Sequence, residues 1–170
     1  GFVGGTEAAH AINWRNPGTY DLLFVSSPTH NANGVAWNGT SQYANTQLIP
    51  SAVLSLNSTH IAYYSRTNVA ANVTDIGAQD ATSLGIAMRS RDAAGRIVGR
   101  VNNTTQSVIA TGITNSVGFF ELSRTASNAT KAYLNGTQQG STITTASTSL
   151  LSTQPIYIGA NNGNGIANTF

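Results

Sequence analysis

The 170-residue chain contains no cysteine. It therefore has no disulfide framework, no thiolate metal site and no thiol nucleophile. Because extracellular bacterial and viral proteins often lack cysteine, this absence weakly favours such an origin, although it leaves the redox compartment open.

Charged residues are also scarce. They make up 8% of the chain, against about 25% in an average soluble domain. Eight cations and six anions give a formal net charge of +2, and Lys131 is the only lysine. Nucleic-acid binding is not predicted, because the sequence has no basic stripe to contact phosphates. Amides and hydroxyls dominate the predicted surface, which suits a crowded assembly or an extracellular setting.

Long apolar runs are absent as well. No stretch is long enough to span a bilayer and no signal segment opens the chain, so membrane insertion is not predicted. The length fits one domain over residues 1–170. Because the chain starts at Gly1 and stops at Phe170 just after a glycine-rich turn, we expect it to be a fragment of a longer polypeptide.

The hydrophobic pattern predicts an all-β fold. One short helix is expected at residues 6–14, with Thr6 as its N-cap. Beyond it, short alternating or apolar runs are separated by turn residues. These runs predict eleven strands, at 21–25, 34–38, 42–48, 59–66, 83–89, 96–102, 106–109, 117–123, 130–134, 138–143 and 156–158. Short strands in such number are typical of a sandwich or barrel.

Three turn signals predict antiparallel hairpins. The pair Asn135-Gly136 is the strongest, because both residues tolerate the positive φ that a tight type I′ turn requires. Asn38-Gly39 is the second signal, and the stretch from Asp92 to Gly95 is the third. Successive hairpins of this kind make a sheet antiparallel.

Three stretches carry a resemblance to a known family. They read NGTSQYANT at 38–46, LNSTHIAYYSRTN at 56–68, and KAYLNGT at 131–137 followed by IYIGANN at 156–162. Together they resemble the laminin G-like branch of concanavalin A-like domains, in the version common in bacteriophage structural and tail-associated proteins.

The resemblance covers roughly residues 13–165 and implies an antiparallel two-sheet jelly-roll sandwich. The Tyr-Leu-Asn-Gly hairpin and the Ile-Gly-Ala strand end are then expected in the two facing sheets. The family includes glycan binders, adhesion modules and virion packing domains, so the likeness indicates fold more than function. The sequence departs from the family pattern in lacking the expected closing strand and C-terminal tail.

Catalytic groups are few. Glycanases that this fold would resemble hold two carboxylates on alternate positions of one strand, and no two of the six carboxylates here are two residues apart. Asp75 and Asp80 fall in a predicted loop at 72–82, where we interpret them as solvated turn residues. The three histidines show no metal-ligand spacing. We therefore predict no catalytic activity, with a glycoside hydrolase or polysaccharide lyase on the same fold as the alternative.

No cofactor is predicted, and calcium is the one metal kept open. Asp75, Asp80 and the loop 161–164 are weak calcium candidates, because oxygen ligands suit a hard cation. The competing interpretation of this Asn-Gly-rich loop is a simple turn.

A ligand or partner surface is predicted where aromatic rings and guanidinium groups come together. In the pair Tyr63-Tyr64 one ring must face the core and the other must face outward, since strand residues alternate. If Ile86 and Met88 face inward, then Ala87, Arg89 and Arg91 face outward together. The candidate surface residues are Tyr63, Tyr64, Arg66, Arg89, Arg91 and Arg124. The alternative is that the rings are core residues and the arginines are merely solvated.

These observations lead to one functional hypothesis. The chain is expected to be a non-catalytic module of a virion or extracellular assembly. Its expected partners are other copies of itself or other virion and surface proteins, with host-surface glycans as further candidate ligands.

Overall fold

A computed structural model describes residues 4–170. Strands account for 41% of the chain and helices for 5%, which confirms the prediction of an all-β fold. The helices are α1 (Glu7–Ala11) and α2 (Pro50–Val53). The strands are β1 (Leu23–Val25), β2 (Thr29–Asn31), β3 (Gly34–Ala36), β4 (Tyr43–Asn45), β5 (Thr59–Ser65), β6 (Ile76–Gln79), β7 (Gly85–Arg89), β8 (Ile97–Asn103), β9 (Ser107–Ala110), β10 (Gly118–Ala126), β11 (Ala129–Leu134), β12 (Thr137–Ile143), β13 (Tyr157–Ile158), β14 (Asn161–Gly163) and β15 (Ile166–Asn168). Within residues 4–170, neither helix is long and apolar enough to cross a membrane.

The strands form three sheets. The large sheet has the order β1-β4-β13-β6-β7-β8-β9, with the β14-β15 hairpin joined to β6. The small sheet has the order β12-β11-β10-β5, and β2 and β3 form a separate hairpin. Neighbouring strands are antiparallel, as predicted, except that β14 runs parallel to β6.

The large and small sheets pack face to face as a sandwich around one core. Phe120 and Leu122 of β10 lie against Ile86 and Met88 of β7 in this cluster. The sheets approach closely at Gly99 on β8, where an added Cβ would lie 2.3 Å from Cδ1 of Leu122. Interiors packed to this density leave no room for an extra methyl group.

The predicted first helix is confirmed in a shorter form. Thr6 precedes α1 in an extended conformation, and its Oγ1 accepts a hydrogen bond from the Ala9 amide at 3.2 Å. This bond satisfies one of the amides that the first helical turn leaves without a partner.

Two of the three predicted hairpins are confirmed. Asn135 and Gly136 join β11 to β12 with φ values of 50° and 79°. The segment from Asp92 to Gly95 joins β7 to β8, and the Asp92 carboxylate accepts hydrogen bonds from the amides of Ala94 and Arg96. In both turns positive φ falls on Gly or Asn, the residues that tolerate it.

The hairpin predicted at Asn38-Gly39 is wrong. Strand β3 pairs with β2, whereas β4 pairs with β1 and β13, so the turn links two different sheets. The Asn38 side chain closes the turn by itself, because its Oδ1 accepts from the amides of Thr40, Ser41 and Gln42 at 3.0, 3.0 and 3.1 Å. A turn stabilised in this way does not require its flanking strands to pair.

The loop predicted at 72–82 is also wrong, because its centre is strand β6 of the large sheet. Its sequence, Ile-Gly-Ala-Gln, has little intrinsic β-propensity. Small residues are needed there, since a Cβ at Gly77 would lie 2.8 Å from the Cβ of Ala87 on the next strand. Packing against neighbours, which the local sequence does not report, makes this segment a strand.

The C-terminal residues also differ from the prediction of a loop at 161–164 and no further strand. Asn161 to Gly163 form β14, and β15 pairs with it. The buried Asn162 donates its amide to the Pro155 carbonyl at 2.8 Å and accepts from the Gly165 amide at 2.7 Å. Asn162 of β14 therefore satisfies backbone groups of the following turn and of the segment before β13, where the sequence pattern indicates only a turn.

We expect Gly136→Val to destabilise the protein by about 1–2 kcal/mol, because a β-branched side chain resists the left-handed backbone of this turn. An added Cβ meets no atom within 4 Å, so strain rather than a clash is the cause. Gly136→Asn is the matched control and should cost clearly less. Equal free energies of unfolding for Gly136→Val and the unchanged protein, measured in urea, would contradict this explanation.

Candidate functional site

A broad cleft of about 1050 Å³ opens at one edge of the sandwich. Three segments form its walls: residues 10–15 at the end of α1 and just after it, residues 33–37 around β3, and residues 62–67 at the end of β5. The segment 73–76, where β6 begins, contributes further lining residues. This is the site at which exposed side chains of different elements converge.

Strand order explains why a cleft lies here. Strand β5 is the last strand of the small sheet, and β3 is one of only two strands in its hairpin. Both strands therefore present an edge to the cleft. The Arg66 guanidinium spans between them at one end, where its Nη2 donates to Asn33 Oδ1 at 3.3 Å.

Tyr63 and Tyr64 face opposite sides of β5, as alternation requires. The Tyr63 ring stacks on Phe120 of the core with their centroids 6.1 Å apart. Tyr64 is 58% exposed, and Trp14, which also lines the cleft, is 62% exposed. Both tyrosines line the cleft. The prediction that one ring packs and one remains free is confirmed.

A hydrogen bond between Tyr63 and Asp75 connects the two sheets. The Tyr63 hydroxyl donates to Asp75 Oδ2 at 2.5 Å, and the Ser90 amide donates to the same oxygen at 2.6 Å. Burial, and then the negative charge of Asp75, raise the pKa of Tyr63 well above its ordinary value. The hydroxyl therefore stays protonated. Asp75 is an internal acceptor, and our interpretation of it as a solvated turn residue is wrong.

Only some of the arginines predicted for the partner surface lie at the cleft. Arg66 and Arg91 line the cleft with the two tyrosines. Arg91 Nη1 donates to Asn68 Oδ1 at 2.8 Å, while its buried Nε has no partner within residues 4–170. Arg89 lies outside the cleft lining and donates from Nε to the Val73 carbonyl at 2.7 Å.

The predicted outward row of Ala87, Arg89 and Arg91 is wrong. Strand β7 ends at Arg89, so strand alternation does not extend to Arg91. Ala87 is fully buried because Gly77 of β6 and other strands of the large sheet crowd its side. The inward placement of Ile86 and Met88 is confirmed by their position in the core.

Arg124 is not a surface residue, which corrects its prediction. Only 2% of it is exposed. Its Nε donates to the Val101 carbonyl at 2.7 Å and its Nη1 to the Ser127 carbonyl at 2.5 Å. Burial lowers the pKa of this guanidinium. The sequence carried a usable signal, since Arg124 shares one strand face with the core residues Phe120 and Leu122.

Asp75 and Asp80 cannot share a calcium ion. They flank β6 at opposite ends, and five residues at about 3.3 Å each separate them by about 16 Å. Asp80 instead caps a turn, because its Oδ1 accepts from the amides of Thr82 and Leu84. In the described part of the chain, no three His, Asp or Glu side chains form a group that could hold a metal.

A histidine pair at the cleft wall was missed by sequence reasoning. His10 of α1 and His30 of β2 are joined Nδ1 to Nδ1 at 2.9 Å, and Glu7 lies 3.8 Å from His30. Burial, and then His30, lower the pKa of His10. The pair connects α1 to the β2–β3 hairpin. Twenty residues separate the two histidines in sequence, so no spacing rule indicated their contact.

Among the described residues lining the cleft, Asp75 is the only carboxylate. Its carboxylate accepts hydrogen bonds from two groups of the protein itself, the Tyr63 hydroxyl and the Ser90 amide. Hydrolysis by paired carboxylates needs a second acid about 5–9.5 Å away. The arrangement therefore suits binding through rings and guanidinium groups better than that chemistry.

Comparisons of the chain with models of protein families, with curated proteins and with solved structures find no match. The likeness to laminin G-like domains therefore depends on the three sequence stretches alone.

We expect Tyr63→Phe to lower the free energy of unfolding near pH 7 by about 1–2 kcal/mol, because Asp75 loses a hydrogen-bond donor. The raised pKa of Tyr63 stabilises the fold below pH about 10, where unfolded tyrosine is protonated, and this contribution falls as the pH rises through the folded-state pKa.

Urea unfolding between pH 8 and 11 checks the prediction. The Tyr63→Phe variant should lose less stability above pH 10 than the unchanged protein. Tyr64→Phe, which alters an exposed ring, is the control and should keep the full alkaline loss. Parallel pH profiles for Tyr63→Phe and the unchanged protein would contradict the assigned role.

Proposed function

We propose that the chain is a non-catalytic module of a virion or extracellular assembly, and that the cleft receives its partner. The observation that carries this proposal is the convergence of Trp14, Tyr64, Arg66 and Arg91 on one open cleft. Tryptophan, tyrosine and arginine are the residues that contribute most binding energy at protein interfaces.

The scarcity of charge elsewhere supports the same proposal. A formal net charge of +2 on a surface of amides and hydroxyls gives little long-range repulsion between neighbouring molecules. Such a surface tolerates dense packing, and most of the specificity then comes from the few charged groups in the cleft.

For the fold we propose a concanavalin A-like jelly roll. The resemblance implies that the Tyr-Leu-Asn-Gly hairpin and the Ile-Gly-Ala strand end occupy facing sheets. The β11–β12 hairpin belongs to the small sheet and β13 to the large sheet, in agreement with that expectation.

Glycan binding is a second candidate function, favoured by the exposed rings of Trp14 and Tyr64. Sugars stack on aromatic faces while guanidinium groups and amides bond their hydroxyls. Arg66 and Asn33 supply such groups beside Tyr64.

A glycoside hydrolase or polysaccharide lyase on the same fold is the competing proposal. Asp75 is the residue on which such an activity would depend. Because Asp75 accepts from Tyr63 and Ser90, a reacting sugar would have to displace internal hydrogen bonds. This cost favours binding over catalysis.

The test measures what the cleft binds. Self-association is followed by sedimentation velocity, glycan binding on an oligosaccharide array, and peptide binding with a phage-displayed library of random decapeptides. We expect at least one of these partners to bind. Trp14→Ala and Tyr64→Ala should each weaken it about tenfold or more, as interface aromatics do.

Phe119→Ala is the matched control, because Phe119 neighbours Tyr64 on the adjacent strand but does not line the cleft. It should leave binding unchanged. The proposal would be overturned if the protein stayed monomeric in sedimentation and bound neither peptides nor glycans. If the protein depolymerised a polysaccharide and Asp75→Asn abolished that activity, the competing proposal of a glycoside hydrolase or lyase would replace the binding module.

A further inference from the structure

The occupant of the cleft can be named by its chemistry. We infer that it is an acidic, extended strand donated by a different polypeptide, which pairs with the free edge of β5. This inference depends on the proposed function, because it identifies the partner of the same cleft.

Two unpaired strand edges flank the cleft. Strand β5 pairs with β10 along one edge, and its other edge has no backbone partner among residues 4–170. Strand β3 pairs with β2 alone in the same described part of the chain. Segments of both strands line the cleft. Such edges carry rows of N–H and C=O groups that match those of an added strand.

The length of β5 sets the length of its expected partner. Strand β5 has 7 residues, and at about 3.3 Å per residue a strand that paired along all of it would extend about 23 Å. We therefore expect an occupant of about seven residues.

The cleft also offers apolar contacts for one face of such a strand. Leu48, Tyr63 and Ile158 line it and pack against the hydrophobic core of the sandwich. Because strand residues alternate, every second side chain of the occupant would meet this apolar lining. We therefore expect apolar residues at alternate positions of the partner.

The charged residues that line the cleft favour an acidic strand as its occupant. Arg15, Arg66 and Arg91 line the cleft, whereas Asp75, the one Asp or Glu among its described lining residues, already accepts from Tyr63 and Ser90. The buried Nε of Arg91 has no partner within the described residues. A carboxylate on the occupant would accept from these guanidinium groups in charge-assisted hydrogen bonds.

A second copy of this chain does not supply such a strand. Within residues 4–170, the strands with a free edge contain no Asp or Glu; they are β1, β2, β3, β5, β9, β12 and β15. Glu121 lies on β10, which is paired on both sides. Because no free-edged strand of a second copy carries an acid within residues 4–170, we assign the acidic strand to a different polypeptide.

The experiment uses decapeptides selected from the displayed random library and then synthesised. We expect the selected sequences to alternate apolar and polar residues, to lack proline and to carry Asp or Glu. Replacing those acids with Lys should weaken binding about tenfold or more, since an attraction becomes a repulsion. N-methylation at alternate residues, which keeps every side chain but removes backbone donors, should abolish binding.

On the protein, peptide binding should slow hydrogen exchange at the amides of β5. Arg66→Gln should weaken binding about tenfold. Lys131→Gln is the matched control, because Lys131 lies on β11 outside the cleft, and it should leave the affinity unchanged.

Each other outcome overturns the inference in a distinguishable way. Equal binding of the N-methylated peptides would exclude strand pairing and leave the proposed binding function intact. If the chain forms concentration-dependent dimers in which the β5 amides are protected from exchange, the occupant is a second copy. If glycans bind the cleft and peptides do not, the occupant is a sugar. A cleft that binds no peptide, copy or glycan would overturn the inference and the proposed function together.

Discussion

The close approach of the two sheets at β8 and β10 is the constraint on which the other features depend. Gly99 has no side chain, and an added Cβ would meet Leu122 and the Ala87 carbonyl, so the sheets can close to direct contact only with glycine here. That contact buries Phe120 and Leu122 completely. The neighbour of β10 on one side is β5, the last strand of the small sheet, whose other edge is unpaired among residues 4–170.

The edge strand is held in place by polar contacts as well as by packing. The Tyr63 hydroxyl reaches across the sandwich to Asp75, which also accepts from the Ser90 amide. Charge-assisted bonds of this kind are short and directional. They hold β5 against the large sheet, while the outer edge of β5 is left unpaired among residues 4–170 beside the cleft. Tyr63, which makes this hydrogen bond, and Tyr64, which lines the cleft, are thus neighbours on the same strand.

Sequence reasoning identified much of the candidate site by residue type. Tyr63, Tyr64, Arg66 and Arg91 do line one cleft, although they come from separate segments. The charge of Arg124 indicates a surface residue, whereas its strand face indicates the core, and carbonyl partners at Val101 and Ser127 make burial of that charge acceptable. Trp14, the most exposed aromatic ring of the cleft, lies just after α1, a segment for which the strand pattern gives no information.

By itself the sequence determined the properties that depend on neighbouring residues along the chain. Strand alternation, the Asn135-Gly136 turn and the Thr6 cap follow from local conformational preferences, and eleven strands were predicted from them. Tertiary structure alone decided that the weak segment Ile76 to Gln79 is a central strand and that His10 meets His30. It also decided that β3 and β5 flank one cleft. These outcomes depend on contacts between residues far apart in the chain, whose energies no local pattern records.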